Sequence, residues 1–379
     1  MQVPSRSGMA RAVTPALSLV VAAALAGCSL GGGSADRGSG SPADADGSSS
    51  TDGPQTGSAG TEVVLVTHDS FALPDPVLAA FTSQTGYTLT VQPSGDAGEL
   101  TNQLVLTKGS PIGDVVFGID STFASRAVEE GVLAQHTPDA LPPGAEDFAL
   151  PGGDAAYLTP VDYGDVCVNI DDSWFAREGI EPPQTLEDLT DPRYRDLFVT
   201  PGATSSSPGL AFLLATVEQF GEDGWQDYWR DLVANGAKVT SGWTDAYTVD
   251  FTAGGGGGSR PIVLSYASSP PFTIPQGEQT PTTSALLDTC FRQVEYAGVL
   301  EGAANPEGAA ALVDFLLTEQ VQEAIPDAMY VFPVSAQAPL PALWARWATL
   351  PEQPHTMEPA RIEANRETWV RAWADLATG

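Results

Sequence analysis

The sequence predicts an α/β fold of two lobes, with the chain crossing between them twice. Three observations lead there. Short apolar runs alternate with helix-spaced segments from residue 61 to 130, the order of a parallel sheet with right-handed crossovers. A second alternating stretch follows, with strand-like runs at 198–200, 237–240 and 262–264. A further strand-like run at 290–296 then leads back toward the first lobe, so the hinge crossings lie near 160–169 and 290–296. Two α/β lobes on such a hinge form a cleft that closes on a ligand.

Each element has its own signal. Glu62-Val63-Val64-Leu65-Val66-Thr67 and Asp114-Val115-Val116-Phe117-Gly118 are continuous apolar runs, the pattern of buried parallel strands. Tyr87-Thr88-Leu89-Thr90-Val91 is rich in β-branched residues. Helical spacing at Val77, Leu78 and Phe81 stops at Gly86, and further helices are predicted over 100–106 and 121–130. Residues 155–169 read as a strand, and a helix is expected to start at Thr185 within 182–189. Helices are predicted at 210–220, 225–235, 306–317, 319–324 and 361–377. The run Gly254 to Gly258 lacks a Walker-type lysine and reads as a flexible hairpin turn. Ligands of open α/β sheets bind beyond the carboxyl ends of the strands. That places His68-Asp69-Ser70, Gly95-Asp96 and Asp120-Ser121 on one rim.

Ahead of the folded part, Arg6 and Arg11 precede an apolar run over 12–26 that is shorter than a membrane span of ~20 residues. It ends at Leu25-Ala26-Gly27-Cys28, which resembles the bacterial lipobox, so residues 1–27 read as a signal peptide and Cys28 as the lipidated residue. Residues 28–60 are almost all small or polar, a composition that buries too little to offset its ordering entropy. They read as a tether with a reach on the order of 30 Å. The division expected for the remainder is 61–160 plus 297–379 for one lobe, and 161–296, hinge strands included, for the other.

The full chain carries 16 basic and 48 acidic residues, a net charge of −32. Such a surface repels nucleic acid and favours cationic ligands. His68, His136 and His355 show no metal-ligand spacing, so no metal and no cofactor is expected. With Cys28 lipidated, Cys167 and Cys290 remain in an oxidising compartment, either as a disulfide or as two buried thiols.

Four loop motifs fall at strand ends: His68-Asp69-Ser70-Phe71, Gly118-Ile119-Asp120, Gly242-Trp243-Thr244-Asp245-Ala246-Tyr247 and Ser265-Tyr266-Ala267-Ser268-Ser269-Pro270. They combine aromatic faces, acids and hydroxyls, and contain no Lys or Arg. Aromatic faces attract a delocalised cation by ~0.5–2 kcal/mol each. The set suits a small, flat cation, with Trp243, Tyr247 and Tyr266 as faces and Asp120 as the balancing acid. The alternative for Asp120 is a helix N-cap, and Asp69 equally reads as a cap of the turn that follows it. Ser205-Ser206-Ser207-Pro208-Gly209 opens an apolar helix. It reads either as a well-capped start or as a seat for a phosphate on the ligand's other end.

Taken in order, these motifs and Asp162-Tyr163-Gly164 and Ala324-Ile325-Pro326 resemble those of the periplasmic thiamine-binding proteins, solute receptors of bacterial ABC importers. The Gly-Trp-x-x-Ala-Tyr and Leu-Ser-Tyr-x-x-Ser-Pro pair is the most specific part. The resemblance implies a type II periplasmic-binding-protein fold, no catalysis, and thiamine or its phosphates as ligand, delivered to a permease by a monomeric, lipid-anchored receptor at the outer face of the cytoplasmic membrane. It implies a site of His68, Ser70, Asp120, Ser206, Ser207, Gly209, Trp243, Tyr247, Tyr266, Ser269 and Tyr330. His68 departs from the family's Tyr, and Met329-Tyr330 from its Asn-Trp. Alternatives on the same fold are a polyamine or ferric-type receptor and a thiamine-degrading transferase with a Cys nucleophile.

Overall fold

The computed structural model describes residues 61–378; the signal peptide, Cys28 and the tether lie outside them. The first lobe begins as expected with β1 (Glu62–Thr67), α1 (Asp75–Thr85), β2 (Thr88–Pro93), α2 (Ala97–Leu106), β3 (Val115–Asp120) and α3 (Ala124–Glu129). β1 pairs in parallel with both β2 and β3. The strands that read as continuous Val-rich runs are buried, as covering on both faces requires.

β4 (Thr159–Asp171) is the first crossing. Beyond it come α4 (Asp172–Glu178), β5 (Phe198–Pro201), α5 (Ser207–Ala234), β6 (Lys238–Thr240), β7 (Ile262–Tyr266) and β8 (Thr283–Ala285). β5 lies parallel to β6 and β7. β9 (Phe291–Val299) then returns antiparallel to β4, in register from Thr159↔Ala297 to Val166↔Phe291. α6 (Pro306–Leu316), α7 (Glu319–Met329), β10 (Phe332–Pro333), α8 (Ala342–Trp347) and α9 (Pro359–Thr378) complete the chain. The main sheet runs β2-β1-β3-β9-β4-β7-β5-β6, so the two crossing strands lie side by side at its centre.

Cys167 on β4 and Cys290 just ahead of β9 form a disulfide, both fully buried. The bridge ties the two crossing strands together where they enter the second half of the sheet. α9 packs on α5 and α3: Trp373 meets Trp229 edge-on at 5.5 Å, and Arg361 pairs with Glu218 and Glu222.

Three local expectations differ from the structure. The helix expected from Thr185 is only a short 3-10 turn, Glu187–Thr190, because Asp188 turns back to accept from the Gln184 and Thr185 N–H groups. The helices expected at 210–220 and 225–235 form one element, α5, broken at Gly221, whose φ of 71° is open to glycine. The Gly254 to Gly258 run is not a free hairpin. It folds back on the turn Asp245–Asp250, and a Cβ at Gly254, Gly256 or Gly258 would collide with the backbone there.

Candidate functional site

A cleft lies at the carboxyl ends of the strands, over the crossing pair. Its lining comes from His68, Asp69 and Ser70 after β1, from Asp96 and Ala97 at the start of α2, and from Ser207 and Pro208 at the start of α5. Trp243, Tyr266 and Ser269 line another side, with Glu295 of β9 on the floor and Met329, Tyr330 and Val331 completing it.

The aromatic wall is layered. Trp243 stacks on Tyr247 at 5.0 Å with 14° between the rings, and Tyr266 meets Trp243 edge-on at 6.5 Å. The Trp243 indole Nε1–H donates to Ser265 Oγ at 2.9 Å, and Ser265 Oγ lies 2.8 Å from Ser269 Oγ. These bonds fix the ring before any ligand arrives. Tyr247 is buried behind Trp243; with Phe272 and Tyr330 it lines a smaller apolar recess beside the cleft. Tyr247, expected as a face beside Trp243 and Tyr266, therefore backs Trp243 and does not line the cleft. Tyr330 holds a left-handed backbone at φ 57°, and its carbonyl accepts from Ser268 Oγ at 2.6 Å.

Asp96 ties three segments together. Its carboxylate accepts from the N–H groups of Ala97 (2.7 Å), Ser207 (3.0 Å) and Trp243 (2.9 Å). Burial raises its pKa, and the Trp243 and Ser207 N–H groups oppose the rise. Nearby, Glu99 N–H donates to the Ser205 carbonyl at 3.0 Å, and Ser70 Oγ approaches Thr244 Oγ1 at 3.4 Å. Residues of 61–160 thus touch residues of 161–296 across the cleft mouth.

His68 is held by a special backbone. Gly118 has φ 99° at the irregularity between β3 and β9, and a Cβ there would overlap the His68 ring. His68 Nδ1 accepts from Ser70 N–H at 3.2 Å, which leaves Nε2 facing Glu295 Oε1 at 3.6 Å. Burial lowers the His68 pKa, but Glu295, with Asp96 and Asp69, outweighs it, so the net shift is upward. At 3.6 Å the contact falls just outside hydrogen-bond range, and it is an ion pair only when His68 is protonated.

Asp120 stands elsewhere than expected. It is fully buried beneath the cleft and does not line it. Its oxygens accept from Thr122 N–H and Oγ1, from Phe123 N–H and, at 2.5 Å, from Ser207 Oγ. It caps the turn after β3 and positions Ser207. Ser206 and Gly209 are likewise corrected: Ser206 Oγ accepts from Gly209 N–H as the cap of α5, and a Cβ at Gly209 would strike the Gly202 and Pro201 carbonyls. Ser207 alone of the three lines the cleft. The residues missing from the sequence reading are Glu295 and the site role of Asp96. Glu295 did carry a signal, as a lone acid inside the apolar run Val294-Glu295-Tyr296.

This is the two-lobed architecture of the type II periplasmic solute-binding proteins. Residues 110–266 match the family described as bacterial extracellular solute-binding protein. The thiamine-binding periplasmic protein of Escherichia coli (strain K12) is 29% identical over 319 residues, which cover 82% of this chain and 92% of that one. Its namesake from Brucella abortus biovar 1 (strain 9-941) is 28% identical over 322 residues, 82% and 91% of the two chains. A solved periplasmic thiamin binding protein superposes with a TM-score of 0.73 at 27% identity, covering 83% of this chain and 96% of its own. Iron-bound HitA from Pseudomonas aeruginosa shares the fold, with a TM-score of 0.64 at 20% identity. The resemblance carried by the motifs is therefore borne out along nearly all of the folded chain.

Proposed function

We propose that this protein captures thiamine, or a thiamine phosphate, outside the cytoplasmic membrane and presents it to an ABC permease. One observation carries the reading: a pre-positioned indole, Trp243, stands with Tyr266 over a floor where Glu295 and Asp96 face the one basic side chain of the lining, His68. A flat, permanently charged ring finds aromatic faces there and a surplus of negative charge beneath. The similarity to the thiamine-binding periplasmic proteins supports the same ligand.

The transferase alternative needs a free thiolate nucleophile. Both cysteines among the described residues are joined in the Cys167–Cys290 disulfide, so the reading is a receptor without catalysis. The ferric alternative calls for adjacent tyrosines, and the sequence has none. Calorimetry with thiamine, its mono- and diphosphate, spermidine and putrescine tests the choice. Binding of a thiamine form is the expected result; binding of the polyamines alone would transfer the site to them.

The lobes of this receptor are 61–160 plus 297–379 and 161–296, and it works as a monomer. Its tether, 28–60, is held to the membrane by acylation at Cys28; two or more acyl chains give stable anchoring without a spanning helix. Replacement of Cys28 by Ser should release the protein from the membrane fraction with its thiamine affinity intact. Retention in that fraction would remove the lipid from the account.

A further inference from the structure

Beneath the cleft floor, three acids from three strands converge. Asp162 of β4 is in register with Glu295 of β9, and Glu295 is in register with Asp120 of β3. Asp162 and Asp120 are fully buried, and neither Asp162 oxygen receives a hydrogen bond. An ionised carboxylate in that position would carry an uncompensated desolvation penalty. A protonated Asp162 is a donor, and its neighbour across the ladder is the Glu295 carboxylate. Two adjacent buried carboxyl groups hold one proton between them.

The surroundings reinforce this. His68 faces Glu295 from the loop after β1, Asp120 faces it from β3, and the Tyr266 ring from β7 and the Asp96 carboxylate from α2 stand in the same field. β10 presents Pro333 in register with Asp162, and α7 presents Gln322, whose amide bonds the Val161 carbonyl. Burial, with Glu295 beside it, pushes the Asp162 pKa well up, while His68 and Asp162 hold Glu295 below its ordinary value against the effect of burial.

We propose that the cleft takes up its cationic ligand in exchange for a proton, released to solvent from the Asp162–Glu295–His68 cluster as the ligand's positive charge settles over Glu295. This rests on the cation-receptor reading above and adds a coupling to it. The exchange balances: protonated cluster plus cation gives cation-bound cluster plus H⁺. The ligand does electrostatically what the proton did, namely offset buried carboxylates in a dry floor. The sign follows from linkage. A ligand that displaces a proton binds more tightly as pH rises, by up to about tenfold per pH unit for each proton released.

The test is calorimetry of the full protein with thiamine, above the range where the ligand's own ring titrates, in buffers of low and high ionisation enthalpy. The slope of the observed heat against buffer enthalpy counts protons. Release of roughly 0.5–1 proton per thiamine near neutral pH is expected, together with a Kd that falls as pH rises. Asp162→Asn keeps a donor toward Glu295 but has no proton to give, so its slope should fall to less than half of the wild-type value. If that variant does not fold, the wild-type Kd series from about pH 6.5 to 8.5 decides. Strong binding with buffer-independent heat and a flat Kd would overturn the inference and leave the receptor reading standing. No binding of thiamine at any pH would remove both.

Discussion

Replacing Trp243 with Ala removes the face on which the proposed cation rests and leaves most of the scaffold in place. The indole is held by a stack on Tyr247 and a bond to Ser265, while the Trp243 backbone N–H, which binds Asp96, survives the substitution. A desolvated cation–π contact contributes about 1–2 kcal/mol. Losing it weakens binding by about 5- to 30-fold. The lost Trp243–Tyr247 stack lowers folding stability by ~0.5–1.5 kcal/mol, to be followed separately by thermal melting. Trp243→Phe keeps an aromatic face but loses the Ser265 bond, so its Kd should fall between those of the wild type and the Ala variant. The assay is titration calorimetry with thiamine. A folded Ala variant with wild-type affinity would refute the placement of the ligand against this ring.

Three further outcomes are expected. Replacing Cys167 and Cys290 together with Ala opens a loop whose ends are 123 residues apart, which chain-entropy estimates equate with ~5 kcal/mol of stability; a melting scan should show a large drop, and an unchanged Tm would contradict it. Gly118→Ala should weaken both folding and thiamine binding, because a side chain at φ 99° collides with the His68 ring; wild-type melting and affinity together would show that the ring is not seated there. Burial, opposed by bonds from Ser207 and Thr122, raises the Asp120 pKa to about 7. An acid with a raised folded pKa adds stability below its unfolded value of about 4, and that stability is lost as pH rises through about 7. The Tm should therefore fall between about pH 4 and 7, and Asp120→Asn should flatten the slope; an equally steep variant would assign the fall to other groups.

Much of this was legible in the sequence because buried strands state themselves. Val63 to Val66 and Val115 to Phe117 are continuous apolar runs, and they became the parallel core of the sheet. Three of the four strand-end motifs converged on one cleft, with Asp120 of the fourth beneath it, because strand direction, once assigned, fixes which loops share a rim. What was not legible depended on tertiary pairing. Asp120 looks the same in sequence whether it faces a ligand or caps a turn; only its bond to Ser207, 87 residues away, decides. Gly221 and Asp188 changed element boundaries through local backbone choices that periodicity does not register. The partnership of Asp162 with Glu295 needed the register of two strands more than a hundred residues apart.

As a receptor for thiamine, the cleft is expected to read positive charge on a flat aromatic ligand. Equilibrium dialysis of the protein against thiamine and against thiochrome, its flat uncharged oxidation product, tests it directly. Thiamine should be retained, and thiochrome should fail to compete at a large excess. Equal retention of the two would mean that Trp243 and Tyr266 select shape alone and that the acids beneath them have another purpose.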